Sequence, residues 1–169
     1  MMYKLIIVFL LTLNTLAQEK MFQYCRSGDV TAMKGIIESE NININDIDDY
    51  GYSPLILAVY HGHNDLVDVL LNNNANPDAQ DKSGNTALMG ACFKGYIEAV
   101  CLLLDNGADI NQRNYNGATA LIYAATFGHQ DIVEELIKRN ADITIRDNWG
   151  NTAKDHARMQ GNGKVLKIL

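Results

Sequence analysis

The sequence predicts an all-α solenoid of stacked helix–turn–helix units with β-turn or hairpin tips. Glycines stand 33 residues apart at Gly51, Gly84, Gly117 and Gly150, and a second glycine follows 11 residues after each of them. Each glycine of the first set has Asp or Asn three positions before it and Ser or Thr two positions after it. A repeat of this length is typical of small supersecondary units, which bury a continuous core only when neighbouring units stack.

Each repeated position predicts one part of the unit. The Ser or Thr suits a helix N-cap, because its hydroxyl accepts a hydrogen bond from a free N–H of the first turn. Pro54 follows Ser53 at the first helical position, where its missing N–H does no harm. The glycine at plus 11 ends this first helix, and a second apolar helix follows. The second helix ends at Asn74, Gly107 or Asn140, residue types that tolerate the left-handed conformation.

The units resemble ankyrin repeats in three of their segments. The turn and the start of the first helix are similar to the opening of an ankyrin repeat, the Ala-Asp segment is similar to the loop between repeats, and the Gly-His pair matches the usual junction of the two helices. The family's usual His after Thr-Pro-Leu, which hydrogen-bonds to the loop, is replaced by Ile56, Met89, Ile122 and Asp155. The resemblance rests on residues 48–55, 81–88, 106–111 and 140–143 and on the pairs Gly62-His63 and Gly128-His129.

The resemblance covers roughly residues 21–169 and implies three full repeats between two capping repeats. Polar residues of the last unit would seal the end of the apolar stripe. The expected boundaries are 18–47 for the N-terminal capping repeat, 48–80, 81–113 and 114–146 for the full repeats, and 147–169 for a truncated C-terminal capping repeat.

Residues 1–17 lie outside the repeats and predict a secretory signal peptide. Lys4 supplies a short basic region, residues 5–13 an apolar run, and Thr15, Leu16 and Ala17 a small-x-small cleavage site. The run is far shorter than the ~20 residues that span a bilayer, although an N-terminal membrane anchor is the alternative. We therefore expect an exported protein of bacterial type that is periplasmic or secreted and, once the signal is removed, not attached to a membrane.

Charge and spacing argue against several kinds of chemistry. The net charge of −6 disfavours nucleic acid, which needs a basic stripe. His63 and His129 occupy equivalent positions two repeats apart, so we interpret them as turn hydrogen-bonding residues and not as ligands of one metal. Asp65, Glu98 and Asp131 lie near the starts of second helices, where negative charge suits the helix dipole. We expect no catalytic residue, no metal and no cofactor.

The three cysteines are not expected to form an internal disulfide. Cys25 and Cys92 lie two repeats apart, about 20 Å at helix spacings of 8–10 Å, whereas a disulfide needs Cα atoms within about 7 Å. Cys101 takes the position held by Asp68 and Glu134 in neighbouring repeats. We predict buried Cys25 and Cys92 and an exposed, free Cys101, for which an intermolecular bridge stays open.

In ankyrin-like proteins the turn tips and the ends of the first helices line a concave face, and the resemblance implies that contacts with a partner come from there. Seven side chains at these positions are aromatic, and Tyr and Trp are enriched in binding hot spots. The alternative is that some rings pack between adjacent tips and stiffen the stack. Lys82 and Lys94 are the only positive charges expected on this face, so a partner with acidic groups would fit. The candidate binding residues are Tyr50, Tyr52, Tyr60, Lys82, Phe93, Lys94, Tyr115, Phe127 and Trp149.

The leading hypothesis is a monomeric, non-catalytic module that binds a partner protein through this face. Two narrower versions follow from exported bacterial ankyrin proteins: an immunity-type inhibitor of a periplasmic toxin, and a protective partner of an enzyme such as one of peroxide defence. A metal-dependent enzyme built on the solenoid is the alternative from another class.

Overall fold

The computed structural model describes residues 16–39 and 42–169, and over these the regular secondary structure is entirely helical. The helices alternate as the first and second helix of successive units, with α1 at residues 16–27. The others are α2 (Val30–Ser39), α3 (Pro54–Tyr60), α4 (Asn64–Asn72), α5 (Ala87–Lys94), α6 (Ile97–Asp105), α7 (Ala120–Phe127), α8 (Gln130–Lys138), α9 (Ala153–Met159) and α10 (Gly163–Leu166).

The helices pack in two layers, which confirms the predicted stack. Each first helix contacts the next, from α3 through α5 and α7 to α9, and the second helices α2, α4, α6 and α8 contact one another in the same order. Alanines at 33-residue intervals are buried in the first helices and let their backbones approach closely, while leucines of the second helices fill the larger spaces. These residues are Ala58, Ala91, Ala124 and Ala157, and Leu66, Leu70, Leu103 and Leu136.

The predicted N-caps are present at all four first helices α3, α5, α7 and α9. The side-chain oxygens of Ser53, Thr86, Thr119 and Thr152 each accept a hydrogen bond from the backbone N–H three residues later. Thr152 completes a capping box, since the Asp155 carboxylate accepts from its backbone N–H at 3.1 Å. The same hydroxyl position therefore starts every first helix from α3 onward.

The predicted helix ends are also confirmed, with one variation. Asn74 and Asn140 are left-handed, each with φ of 65°, at the ends of second helices. Gly95 is the left-handed C-cap of α5. In α3 and α9 the caps are His61 and Gln160, and the left-handed Gly62 and Gly161 each follow one residue later.

The predicted signal peptide falls outside the described residues except for Leu16 and Ala17, which belong to α1. The predicted cleavage point after Ala17 therefore lies within α1, and Ala17 is buried in the core. No helix in the described part of the chain is both long and apolar enough to cross a bilayer.

Candidate protein-binding surface

Four turn tips, residues 48–52, 81–85, 114–118 and 147–151, follow one design. In each, the Oδ1 atom of the opening Asp or Asn accepts hydrogen bonds from the backbone N–H groups two and four residues later. A backbone bond also joins the first and fifth residues, as between Asp81 N and Asn85 O at 2.9 Å. The tips are thus fixed from within, although the family's usual loop-binding His is absent.

Two tips gain a further support from the residue one position after that missing His. The Tyr123 hydroxyl donates to Asn85 Oδ1 at 3.0 Å and accepts from Asn114 Nδ2 at 3.2 Å. His156 Nε2 lies 2.7 Å from Asp147 Oδ2. Burial raises the pKa of Asp147, but hydrogen bonds from Asn151 N, the His156 ring and Trp149 N outweigh it and leave the pKa below its ordinary value. The tips that contain Asn114 and Asp147 are therefore tied to their own first helices α7 and α9.

The rings predicted at the tips are exposed. Tyr50, Tyr115 and Trp149 are 71%, 66% and 70% exposed, and Tyr52 is exposed as well. The Tyr115 ring also covers Gly84 of the preceding tip, since a Cβ added to Gly84 would lie 2.6 Å from Tyr115 Cδ1. Tyr115 thus combines an exposed ring with a contact between tips.

The rings predicted at the helix ends form a packed strip that stays accessible. Phe93 and Phe127 meet edge to face, with ring centroids 4.7 Å apart. Lys94 Nζ lies 4.0 Å from the centroid of the Tyr60 ring. All three rings remain exposed, Phe93 least at 37%. Phe93 and Phe127 therefore pack against each other and are also exposed to solvent.

The expectation that Lys82 and Lys94 carry the only positive charges of this face is wrong. Arg26 of α1 lines the same surface beside Tyr50, Tyr52 and Tyr60 and pairs with Asp48 at 2.5 Å. The N-terminal capping repeat has one extra residue before Asp48, so a spacing of 33 does not align Arg26 with Tyr60. A spacing of 34, which aligns Gly28 with Gly62, predicts that Arg26 lies on this face. Lys82 Nζ donates to the Asp49 carbonyl and so serves to link two tips.

Between the tips and the helix ends lies a groove that the sequence analysis missed. A hollow of about 270 Å³ is bordered by Tyr52, Ile56, Tyr60, Met89, Gly90, Phe93 and Tyr123. A second hollow of about 230 Å³ adjoins it on the side of α1, since the two share Tyr52, Ile56 and Tyr60. The sequence does carry a sign of this groove. Gly90 has no side chain, whereas the equivalent residues of the other repeats, Leu57, Tyr123 and His156, have large ones.

The histidines between helices act as predicted, in turn hydrogen bonds. His63 Nε2 lies 3.1 Å from Arg26 O, and His129 Nε2 lies 3.3 Å from Phe93 O, each binding the end of the preceding first helix. Asn162 does the same, donating from Nδ2 to two carbonyls at the end of α7. Within residues 16–39 and 42–169, no group of three or more His, Cys, Asp or Glu side chains is arranged to hold a metal ion.

The carboxylates predicted near helix starts lie in the first turns of α4, α6 and α8, where they oppose the positive end of the helix dipole. These residues are Asp65, Glu98 and Asp131.

The cysteines are free, and two of the three are placed as predicted. Cys25 and Cys92 are buried, and burial raises the pKa of the Cys25 thiol to about 12 and that of Cys92 further. Cys101 was predicted to be exposed but is half-buried. Its pKa is raised by this burial and by the nearby Glu135 carboxylate of α8, a neighbour that the repeat register alone does not reveal.

Comparison with known proteins agrees with this geometry. Family models for ankyrin repeats match residues 21–114 and residues 103–157. The chain is similar to the BTB/POZ domain-containing protein 3 of Schizosaccharomyces pombe, 45% identical over 51 residues, which is 30% of this chain and 10% of that protein. It is also similar to the acyl-CoA-binding domain-containing protein 6 of Danio rerio, 37% identical over 56 residues, which is 33% of this chain and 19% of that protein. The chain thus spans a fifth or less of these relatives, and on the family matches it belongs to the ankyrin-repeat family.

Proposed function

We propose that this chain is an exported, non-catalytic module that binds a partner protein through its tips and first-helix ends. Ankyrin repeats are protein–protein interaction modules. The observation that carries the proposed surface is the set of exposed rings fixed on hydrogen-bonded tips and packed helix ends. Rigid aromatic side chains bind with a small loss of conformational entropy, which is why they serve as anchors in interfaces.

The test compares two variants of the chain in affinity capture from extracts of the source cells, analysed by mass spectrometry. The first replaces the three most exposed tip rings, Tyr50, Tyr115 and Trp149, by Ala. The control is Ile143→Ala, which removes an exposed apolar side chain from the loop between repeats. We expect one dominant partner to be captured by the wild type and by the control and lost by the triple variant.

The melting temperature of each variant is measured as well, to separate loss of the binding surface from loss of the fold. Substitutions of exposed residues usually change the free energy of unfolding by less than about 0.5 kcal/mol, so the melting temperature should hardly change. Loss of capture at an unchanged melting temperature supports the surface. Equal capture by the triple variant and the control would remove the tips from the proposal.

Export is tested separately, because binding and localisation are independent. Expressed with its own N-terminus in a Gram-negative host, the protein should be recovered from the periplasm with Gln18 as its first residue. Recovery in the cytoplasm with residues 1–17 intact would contradict export. For the narrower roles, a captured toxin whose activity falls on binding supports an inhibitor, and a captured enzyme that survives oxidative stress better when bound supports a protective partner.

A further inference from the structure

Gly90 is a glycine that the fold of α5 does not require. Its φ lies outside the left-handed region, unlike that of Gly95 at the end of the same helix. A Cβ added at residue 90 would meet only Val59 Cγ1, at 3.9 Å, an ordinary contact. Glycine in a helix interior lowers stability relative to alanine. The position therefore lacks a side chain for a reason other than backbone geometry or crowding.

The missing side chain opens the hollow of about 270 Å³ on the concave surface. Its walls are mainly aromatic and aliphatic, from Tyr52, Ile56 and Met89 to Phe93 and Tyr123. Concave apolar sites with a few polar groups at their edge are the usual form of a binding pocket. The size and lining suit one large apolar side chain.

The positive charge of Lys94 lies next to the hollow at the helix ends, beside the lining rings of Tyr60 and Phe93, although the whole chain has a net charge of −6. Lys94 stands over Tyr60 and, among the described residues, has no carboxylate within ion-pair distance. Arg26 borders the adjoining hollow beside Tyr60 and His61, where it is paired with Asp48.

The opposite edge of the hollow, at the tips, carries the carboxylate of Asp81. The Asp81 oxygens accept hydrogen bonds from Ser83 N, Asn85 N and Asn85 Nδ2. Lys94 at one edge and the negative charge that Asp81 keeps at the other favour a ligand whose acidic groups lie toward the helix ends.

We propose that the Gly90 hollow binds one large apolar side chain of an acidic peptide segment of the partner, with a carboxylate of that segment contacting Lys94. This inference rests on the proposed function, because it names the chemistry of the partner segment at the concave surface.

The probe is the peptide acetyl-Glu-Asp-Phe-Asp-Glu-amide, titrated into the ¹⁵N-labelled chain and followed by amide chemical shifts. We expect saturable shifts at Gly90, Phe93 and Lys94. Two matched peptides divide the interaction: Gln-Asn-Phe-Asn-Gln lacks the charges, and Glu-Asp-Ser-Asp-Glu lacks the apolar side chain. The Ser peptide should bind at least about tenfold more weakly, since the transfer of one large apolar side chain out of water is worth a factor of that order. The neutral peptide should also bind more weakly, because it has no carboxylate to contact Lys94.

Three protein variants complete the experiment. Gly90→Leu fills the hollow and should abolish the saturable shifts, whereas Gly90→Ala stiffens the same helix turn but leaves most of the hollow open and should retain them. Lys94→Gln should remove the preference for the acidic peptide over its neutral counterpart. Equal binding by wild type and Gly90→Leu, equal binding of the acidic and neutral peptides, or no shift at these residues would each overturn the inference. Failure of this kind leaves the proposed function intact if capture of the partner still depends on the tip rings.

Discussion

Replacement by Ala should have opposite effects on stability at Gly90, inside α5, and at Gly95, the C-cap of the same helix. Gly90→Ala should stabilise the protein, because a glycine in a helix interior is about 0.8–1.0 kcal/mol less favourable than alanine. The added methyl group meets only Val59 at 3.9 Å and so brings no clash. We expect the free energy of unfolding to rise by about 1 kcal/mol and the melting temperature by about 2–4 °C.

Gly95→Ala should destabilise the protein through two effects. Its φ of 79° is left-handed, which costs an L-residue roughly 1–2 kcal/mol. The new Cβ would also lie 2.6 Å from His129 Cε1, so the ring must move and its contact with Phe93 O at 3.3 Å is lost, at a cost of about 1 kcal/mol. The expected loss is therefore about 2–3 kcal/mol.

Urea unfolding followed by far-ultraviolet circular dichroism measures both variants against the wild type. The dependence on urea should keep the same slope, because the surface exposed on unfolding hardly changes. A Gly90→Ala protein no more stable than wild type would refute the claim that α5 has room and a suitable backbone at this residue. An unchanged Gly95→Ala protein would refute the left-handed cap.

Three further predictions concern the tips, the thiols and the capping box of α9. Tyr123→Phe removes the hydroxyl that bridges two tips and should lower the free energy of unfolding by about 1 kcal/mol, measured by urea unfolding; no change would mean that water or the amides replace it. In the native protein an aromatic disulfide reagent should react with Cys101 alone, slowly, and with Cys25 and Cys92 only in urea; rapid reaction of two native thiols would contradict their burial. The pKa of Asp155 is lowered to about 2, chiefly by the hydrogen bond from the Thr152 side chain. The stability that the ionised carboxylate contributes is therefore fully present above the ordinary pKa of 3.8 and is lost as the pH falls through 2. Asp155→Asn should thus lower the urea midpoint at pH 7 but hardly at pH 1.5, and an equal loss at both would refute the charged capping box.

The repeat framework was predictable from sequence because each part of it depends on local chemistry. A hydroxyl at the N-cap and a residue that tolerates positive φ at the helix end act through their own neighbours, so their spacing alone located the helices. The exposed tip rings were predictable for a related reason. A turn tip has no core to bury a ring such as Trp149, and the structure leaves that ring in solvent.

The groove was not predictable from periodicity, because its features are departures from the repeat. Gly90 and Tyr123 both lie within apolar runs of the first helices, where nothing in the period marks them as different. In the structure, Gly90 instead borders the hollow, and the Tyr123 hydroxyl donates a hydrogen bond to Asn85, 38 residues earlier in the sequence. Arg26 escaped notice because one extra residue displaces the capping repeat. Contacts between units set the environment of Cys101 in the same way, through Glu135 of the next second helix.

The bonds from His63, His129 and Asn162 to the preceding first helices have a consequence for the order of assembly. Each acceptor carbonyl lies 36 or 37 residues before the side chain that binds it. At a synthesis rate of 5–20 residues per second, the ends of α1, α5 and α7 therefore gain these bonds no sooner than about 2–7 seconds after their own residues are synthesised. During translation each of these three helices is completed only by a residue of the following unit.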